Sequence, residues 1–482
     1  MDLMDAKKVK CCSRDTINSF PDEILAKIIS FLPTKRAAST CLVSKRWRNL
    51  FALMFQLFSS QHHLDLDYSD LVYPEEGKRE RKDVEKSFGD FVDKTLSSYN
   101  SIIKKLSLKC PRSCLHTEID QWLSHALERG GVVDLDMRIP IGFTRVQSKW
   151  PSVFTIKTLV KLTLEIELGP ERISFYPLVF LPVLKSLFLH TAWYTCEDLC
   201  YKMFLCFPIL EELSLQHLRG LPVNYPTLRR QRRESKVYYI SHKTLKRLTS
   251  HYNNSLDNCR HMRFDTPSLV YLDYSGFAPT STSTANFLDS LVEAKLDVFL
   301  DSNLHHDVNL RQTDEVLVDL STIMNWMRNV KTLSLSSLLL LLRSDMYSSC
   351  GGLPFFSNLV KLHFESNTEE GWDVLGRLLN KSPKLETLVL KGLHCVSSQG
   401  LCIDRNEVKV LEIHGFSGRD KEVREVTCFL REMQFLQVMK VEIDAGDNKK
   451  LRLINHLLAL PRRSSKLRFM FLQSGAAKSP SP

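Results

Sequence analysis

Apolar and polar residues recur at helical spacing in the first sixty positions of the chain. The first apolar stripe lies between Ser19, which can cap a helix, and Pro33, which ends one. Its members are Ile24, Leu25, Ile28, Ile29 and Leu32. Thr34 can cap a second helix from Lys35 to Leu42, and Ser44 can cap a third that starts at Lys45. The pattern therefore predicts three short helices.

Three short amphipathic helices cannot bury all their apolar faces against one another. We therefore expect a partner to cover the remainder. Residues 15–60 carry six lysines and arginines against three acidic residues, which favours an acidic partner. The alternative is a simple three-helix bundle whose basic face is solvated.

Residues 61–100 are polar, with a charge run from Lys78 to Lys82. One amphipathic helix is predicted near Phe88, Phe91, Val92 and Leu96. We interpret this segment as a connector.

Beyond the connector, a six-residue phrase repeats. It consists of an apolar residue, two variable residues, a leucine, one variable residue and a second apolar residue. Fourteen copies are centred on Leu106, Leu135, Leu162, Leu187, Leu213, Leu248, Leu272, Ala294, Leu333, Leu362, Leu388, Leu411, Met439 and Met470. Most steps lie near roughly 20–29 residues, the range of leucine-rich repeats, and two longer steps mark insertions around 219–244 and 297–329. Each phrase predicts a short parallel strand with its apolar residues inward. The alternative is an ordinary α/β domain, but no glycine-rich phosphate loop follows any of these strands.

Composition agrees with a folded chain of more than one domain. Of 482 residues, 43% are hydrophobic and 25% are charged. The net charge of +10 is uneven, since eight basic residues and one acid lie between Arg229 and Arg247. The longest leucine run, Leu338 to Leu342, is far short of the roughly 20 residues of a membrane span, and the start of the chain has no secretory pattern. We expect a soluble intracellular protein, in the nucleus, the cytoplasm or both, with no membrane partner.

The sequence carries no recognisable catalytic or metal-binding motif. It contains no phosphate loop, no nucleophile elbow and no zinc-protease motif. Cys110 and Cys114, or Cys196, Cys200 and Cys206, could be imagined as zinc ligands, but neither set has a second pair at zinc-finger spacing. We expect structural cysteines, no catalytic residue, no metal and no cofactor.

The N-terminal motif is specific enough to suggest a family. The run from Phe20 to Lys35, FPDEILAKIISFLPTK, followed by SKRWR from Ser44 to Arg48, resembles the F-box of plant proteins. Phe20 departs from the usual leucine. The resemblance implies that these helices bind a Skp-type adaptor, and through it a cullin. Nine residues would form the apolar adaptor face: Pro21, Ile24, Leu25, Ile28, Leu32, Leu42, Val43, Trp47 and Leu50.

The C-terminal region carries a second resemblance. Val408 to Gly418, VKVLEIHGFSG, precedes a helix-like stretch from Glu422 to Met433, a strand-like Val438 to Ile443 and a helix-like Leu451 to Leu460. This order is similar to the FBD region of plant F-box and leucine-rich-repeat proteins, although the early strand near Gly400 and the residues after Arg462 depart from it. The region would act as a cap on the last repeat.

The predicted fold is thus α/β, with a small all-helical F-box, a leucine-rich-repeat α/β solenoid and an FBD-like C-terminal cap. The predicted bounds are 14–60 for the F-box, 61–100 for the connector, 101–400 for the solenoid, 401–473 for the FBD-like region and 474–482 for a disordered tail. The resemblance implies a non-catalytic, substrate-recruiting subunit of an SCF-type ubiquitin ligase. An unknown protein target would bind the concave, strand-lined surface of the repeats.

Two alternatives remain open at this point. One is a protein-interaction scaffold that does not support ligase assembly. The other, which is less favoured, is a nucleic-acid binder that uses the cluster from Arg229 to Arg247. The sequence does not identify the target or the residues that contact it.

Overall fold

The computed structural model divides into two compact units, Met1–Ile166 and Glu167–Pro482. It describes residues 17–32, 34–40, 43–57, 63–69, 81–98, 102–111, 114, 116–128, 130–139, 153, 156–166, 180–191, 206–217, 237–251, 261–277, 288–299, 326–336, 353–367, 369–396 and 407–472. The predicted tail, 474–482, lies outside the described residues.

Three helices open the first unit: α1 Asp22–Ser30, α2 Thr34–Ser39 and α3 Lys45–Leu57. They enclose a small core of Leu25, Ala26, Ile29, Ala37, Trp47, Leu50 and Met54. The three-helix prediction is confirmed, but its caps are only partly right. Ser44 accepts a hydrogen bond from the Trp47 amide at 3.3 Å, as a capping residue does. Pro21, not Ser19, occupies the cap position of α1.

Thr34 is the first residue of α2 and not its cap. Its hydroxyl accepts a hydrogen bond from the Asp65 amide at 3.2 Å. Asp65 lies on a strand that the sequence analysis missed, β1 His63–Asp67, inside the predicted connector. The alternation of His63, Leu64, Asp65 and Leu66 is a strand signal, and both leucines are buried. The side chain of Thr34 is therefore used to join the helical module to the first strand.

The rest of the first unit is a four-stranded parallel sheet in the order β1, β2 Lys105–Lys109, β3 Asp134–Ile139 and β4 Lys161–Ile166. Two helices connect the strands, α4 Arg81–Ser98 and α5 His116–Glu128. Helix α4 confirms the predicted amphipathic helix, since Phe88, Val92 and Leu96 are buried. Phe88 packs edge-on against Trp122 of α5, with ring centroids 6.0 Å apart.

The second unit continues the strand pattern with parallel pairing. Its strands are β5 Ser186–Thr191, β6 Glu212–His217, β7 Val237–Ser241, β8 Arg247–His251, β9 His261–Asp265, β10 Tyr271–Phe277, β11 Glu293–Phe299, β12 Thr332–Ser336, β13 Lys361–Glu365, β14 Thr387–Lys391, β15 Val410–Phe416, β16 Val438–Ile443 and β17 Arg468–Leu472. The order is β5-β6-β8, then β10 through β17, while β7 and β9 pair only with each other. The helices are α6 Glu369–Asn380, α7 Asp420–Glu432 and α8 Asp447–Ala459.

Each of the fourteen repeated phrases coincides with a strand, namely β2 to β6, β8 and β10 to β17. The register places equivalent leucines side by side, as in Leu187 beside Leu213 and Leu213 beside Leu248. A second contact recurs before β3, β4, β6, β8 and β10 to β16, where two successive amides share one carbonyl oxygen of the preceding repeat. The amides of Lys246 and Arg247, for example, share the carbonyl oxygen of Glu211, at 2.8 and 3.0 Å. The repeat prediction and the α/β fold class are therefore confirmed.

The C-terminal strands and helices also agree with the sequence pattern, since α7, β16, α8 and β17 fall within a few residues of the predicted elements. Strand β17 is only partly buried. Whether this region acts as an FBD-type cap stays a prediction, as do the domain bounds. Within the described residues, no helix combines the length and apolar character that a membrane crossing requires.

Two glycines with left-handed backbone allow a matched test of the strand packing. A Cβ on Gly392 (φ +84°) would lie 2.4 Å from the carbonyl oxygen of Ser366, whereas a Cβ on Gly415 (φ +71°) would meet nothing within 4 Å. We expect Gly415→Ala to cost about 1–2 kcal/mol from backbone strain alone. Gly392→Ala should cost about 1–3 kcal/mol more because the backbone has to move. Unfolding midpoints in denaturant measure the difference, and equal losses would contradict the predicted clash.

Candidate partner-binding surfaces

The helical module divides the nine predicted adaptor-face residues into two groups. Five lie exposed on the surface: Pro21, Ile24, Ile28, Leu32 and Val43. Leu25, Trp47 and Leu50 lie in the module's own core, which spacing along the helices does not indicate. Leu42 lies outside the described residues. The buried three can only support the surface from beneath, and contact with an adaptor stays a prediction for all nine.

The exposed apolar surface is larger than the sequence analysis proposed. It also includes Ile17, Phe20, Phe31 and Leu57. Val43 is 68% exposed and Phe31 is 67% exposed, although both are large apolar residues. Phe20 and Phe31 stand within the quoted motif, but periodicity does not distinguish the inward side of a short helix from its outward side. We call the exposed set of Ile17, Phe20, Ile24, Ile28, Phe31, Leu32, Val43 and Leu57 the apolar face.

Arg46 fixes one end of the apolar face. Its guanidinium, on α3, donates to Asp22 Oδ1 at 2.8 Å, to the Phe20 carbonyl at 2.6 Å and to the Asn18 carbonyl. The neighbouring Trp47 indole donates to Asn18 Oδ1 at 3.1 Å. A planar guanidinium can hold several acceptors in a fixed arrangement. The turn that carries Phe20 is therefore tied to α3, which the sequence pattern did not indicate.

The helical module also exposes basic residues. Lys27, Arg36, Lys45 and Arg48 are exposed, and no ion pair joins them to a carboxylate within the described part of the module. Arg46 is the cation that pairs with an acid, Asp22. The surface thus combines apolar residues with uncompensated positive charge, which suits a partner with apolar and acidic groups.

A second candidate surface is the solvent-facing side of the strands in the second unit, which we call the strand face. Its centre is a network on β8, β10 and β11. Arg247 lies 4.0 Å above the Tyr271 ring, and the Lys295 ammonium lies 5.4 Å from it. Asp273 accepts from His251 at 2.7 Å and from the Tyr271 hydroxyl at 3.2 Å. Burial alone would raise the pKa of Asp273, but hydrogen bonding and charge from His251, with the charge of Lys295, hold it below its usual value.

A similar network lies on β15 and β16. His414 bonds Glu442 through Nδ1 at 2.6 Å and Glu412 through Nε2 at 2.8 Å. Lys440 donates to Glu412 at 3.2 Å. Burial works to raise the pKa of Glu412, but the hydrogen bonds from Lys440 and His414 outweigh it and lower the pKa. These side chains satisfy one another, so they give the surface a fixed pattern of charge.

The strands between these networks are less charged. Strand β12 presents the hydroxyls of Thr332, Ser334 and Ser336. The register places Ser334 between Lys295 and His363. Burial, and then the charge of Lys361, lower the pKa of His363, which favours a neutral imidazole. The strand face can therefore offer hydrogen bonds and charges to a polypeptide, whereas no arrangement of a nucleophile and a base was found among its described contacts.

The basic cluster from Arg229 to Arg247 is only partly described. Its densest part, Arg229 to Lys236, lies outside the described residues. At its other end, Lys246 pairs with Glu211 at 3.2 Å, and Arg247 lies 3.7 Å from Glu212. These two cations are thus partly neutralised within the chain, which weakens the nucleic-acid interpretation.

The cysteines behave as structural residues where they are described. A hydrogen bond with Cys114 that favours the neutral thiol, together with burial, raises the pKa of Cys110 well above its usual value. A thiol with a raised pKa is a poor metal ligand. In the described ranges, no group of three His, Cys, Asp or Glu side chains could hold a metal ion. Cys196 and Cys200 lie outside them.

Comparison with known proteins shows which family the chain resembles. The family profile of the F-box domain matches residues 17–54. A putative F-box/LRR-repeat protein of Arabidopsis thaliana is 63% identical over 472 residues, covering 97% of this chain and 100% of the relative. A putative F-box protein of the same plant is 38% identical over 480 residues, covering 96% and 99%. An F-box/LRR-repeat protein is 36% identical over 466 residues, covering 93% and 95%.

Replacing Arg46 tests whether it orders the turn before α1. Arg46→Met keeps the length of the side chain but removes its three hydrogen bonds. We expect the amides of Phe20 and Ile24 to exchange with deuterium several-fold faster. The free energy of unfolding should fall by only about 1 kcal/mol, because the ion pair is exposed. Arg48→Met, an exposed arginine two residues further along α3, is the control. Equal exchange in both variants would show that Arg46 does not hold the turn.

Proposed function

Because the chain belongs to the plant F-box/LRR-repeat family, we propose that it is the substrate-recognition subunit of an SCF-type ubiquitin ligase. In this proposal the helical module binds a Skp-type adaptor, which connects the chain to a cullin. The repeats bind a protein target. The chain itself is a non-catalytic subunit, in the nucleus, the cytoplasm or both.

The apolar face is the observation that carries the proposal. Soluble proteins rarely expose a contiguous apolar patch without a binding partner for it. Here the exposed apolar residues lie on a module whose described core has seven buried residues, among them Leu25, Trp47 and Leu50. Covering side chains such as Ile24, Ile28 and Val43 with an apolar partner surface would stabilise the complex by about 25 cal/mol per Å² of apolar area. The exposed cations add long-range attraction for an acidic adaptor.

The strand face supports the second half of the proposal. Repeat proteins present their extended strand surface for binding because successive repeats place equivalent positions side by side. The charged networks around Asp273 and His414 lie on either side of the hydroxyls of β12, so the surface offers different groups to a target along its length. Holding a target beside the transfer machinery raises the effective concentration of the reacting groups. That role needs no catalytic side chain in this chain.

A scaffold without ligase activity is the second candidate. It shares the apolar face and therefore predicts adaptor binding as well. It differs in the next step, since it predicts no cullin recruitment and no change in target abundance. The partly neutralised Lys246 and Arg247 make a nucleic-acid function the weakest of the three.

An acidic residue in the apolar face should abolish adaptor binding. Ile28 is 41% exposed, so Ile28→Asp should leave the module folded, whereas the same change at the buried Leu25 would unfold it. We expect the affinity for a purified Skp-type adaptor to fall by about tenfold to a hundredfold, because the interface would bury an unpaired carboxylate. Val270→Asp, at 42% exposure in the second unit, is the matched control and should bind normally. Unchanged affinity in Ile28→Asp would refute the assigned face.

Ligase function is tested separately with the same pair of variants. Cells that carry the Ile28→Asp chain should accumulate proteins that co-purify with its repeats, whereas Val270→Asp should behave as the original chain. Adaptor binding with no cullin in the complex, and no protein that accumulates, would favour the scaffold.

A further inference from the structure

Positive charge is concentrated at the C-terminal end of the second unit. Residues 447–472 contain seven lysines and arginines and one acidic residue, Asp447. The seven are Lys449, Lys450, Arg452, Arg462, Arg463, Lys466 and Arg468. Six of them are exposed, and Lys450 is half-buried. No described carboxylate pairs with any of them, which leaves a net charge of about +6 unbalanced in this part of the second unit.

Helix α8 adds an apolar stripe to this charged end. Leu453 on α8 packs against Gly418, where a Cβ would come within 2.2 Å of its methyl group. Leu451, Asn455 and Leu458 lie roughly 140–200° around the helix from Leu453 at 100° per residue, so they point away from that contact. Leu451 is 63% exposed and Leu458 is 46% exposed. The outer side of α8 therefore exposes two leucines beside basic residues.

Strand β17 ends the sheet with an open edge. It pairs with β16, and no other described strand pairs with it. The Arg468 amide donates to Gln437 at 2.9 Å on the β16 side. Backbone groups alternate along a parallel strand, so the amides of Phe469 and Phe471 face the open edge. These two rings lie on the inward face, with centroids 6.2 Å apart, yet both are only half-buried. Among the described residues, the edge thus has neither a hydrogen-bonding partner nor an apolar cover.

We propose that the edge of β17 binds an extended acidic polypeptide as an added strand. Strand addition supplies main-chain hydrogen bonds, while pockets for alternate side chains give specificity. On the inward side, apolar side chains of the partner would cover Phe469 and Phe471. On the other side, acidic side chains would lie beside Arg468 and within reach of Arg462 and Lys466. The partner segment therefore alternates apolar and acidic residues.

The charge, the open strand edge and the uncovered rings also distinguish between possible ligands of this site. A nucleic acid would satisfy the cations, but it has no regular run of amides and carbonyls to pair with the open edge. A second copy of this chain would bring seven like charges against seven, which disfavours edge-to-edge pairing. An acidic strand meets all three requirements: charge, backbone pairing and apolar cover.

Fluorescence anisotropy with the full-length chain tests the proposal. The probe is a labelled eleven-residue peptide of alternating valine and glutamate. Two matched peptides have lysine in place of glutamate, or N-methylated amides along one edge. We expect the acidic peptide to bind at least tenfold more tightly than either, because lysine removes the charge attraction and methylation removes the edge pairing.

Charge-matched variants locate the site. Arg462→Glu, Lys466→Glu and Arg468→Glu together should weaken binding at least tenfold. Lys243→Glu, Lys381→Glu and Lys384→Glu together change the net charge equally at exposed lysines elsewhere in the second unit, and should leave binding within about twofold, allowing for long-range screening. Ile28→Asp should also bind the peptide normally, so failure of the adaptor proposal would leave this result intact.

Three results would overturn the inference. One is equal weakening by the two triple variants. Another is tighter binding of an oligouridylate or of phosphatidylserine vesicles than of the peptide, together with no effect of N-methylation. The third is a dimer in light scattering that the Arg462, Lys466 and Arg468 triple variant dissociates, which would assign the edge to a second copy of the chain.

Discussion

Parallel pairing of each strand with the strand of the next repeat is the constraint on which the structure depends. A single strand such as β5 has two inward leucines, Leu187 and Leu189, and its own repeat supplies few residues that could bury them. Each repeat therefore needs its neighbour for hydrogen bonds and for apolar contact. The shared carbonyls before the strands, such as that of Glu211, hold the register so that every inward position meets another inward position.

The same constraint explains where the candidate surfaces lie. On β8, β10 and β11, and on β15 and β16, the side of the strands opposite the leucines carries the polar residues that form the networks around Asp273 and His414. Strand β17 carries the last copy of the repeated phrase, and among the described strands it pairs with β16 alone. The helical module has no open strand edge, but its helices are too few to bury all their apolar residues. Both ends of the described chain thus expose apolar groups beside positive charge, for different physical reasons.

Much of the fold was predictable because its signals are local. Fourteen strands follow from the repeated phrase, and the three helices of the module follow from apolar spacing and turn residues. Strand β1 was missed although His63 to Asp67 alternates, because the surrounding segment is polar and lacks the full phrase. Strands β7 and β9 were missed because they pair only with each other and carry no repeat signal. The family resemblance at Phe20 to Arg48 was confirmed.

By itself, the sequence determined which segments are helices and strands, which residues of each strand are inward, and to which family the chain belongs. These properties depend on spacing along the chain. The tertiary structure decided which apolar residues of the module are interior, as with Leu25, Trp47 and Leu50, and which are exposed, as with Ile28 and Val43. It also decided that Arg46 holds Phe20 and that β17 has a free edge. Such facts depend on contacts between residues far apart in sequence, which spacing along one helix or strand does not contain.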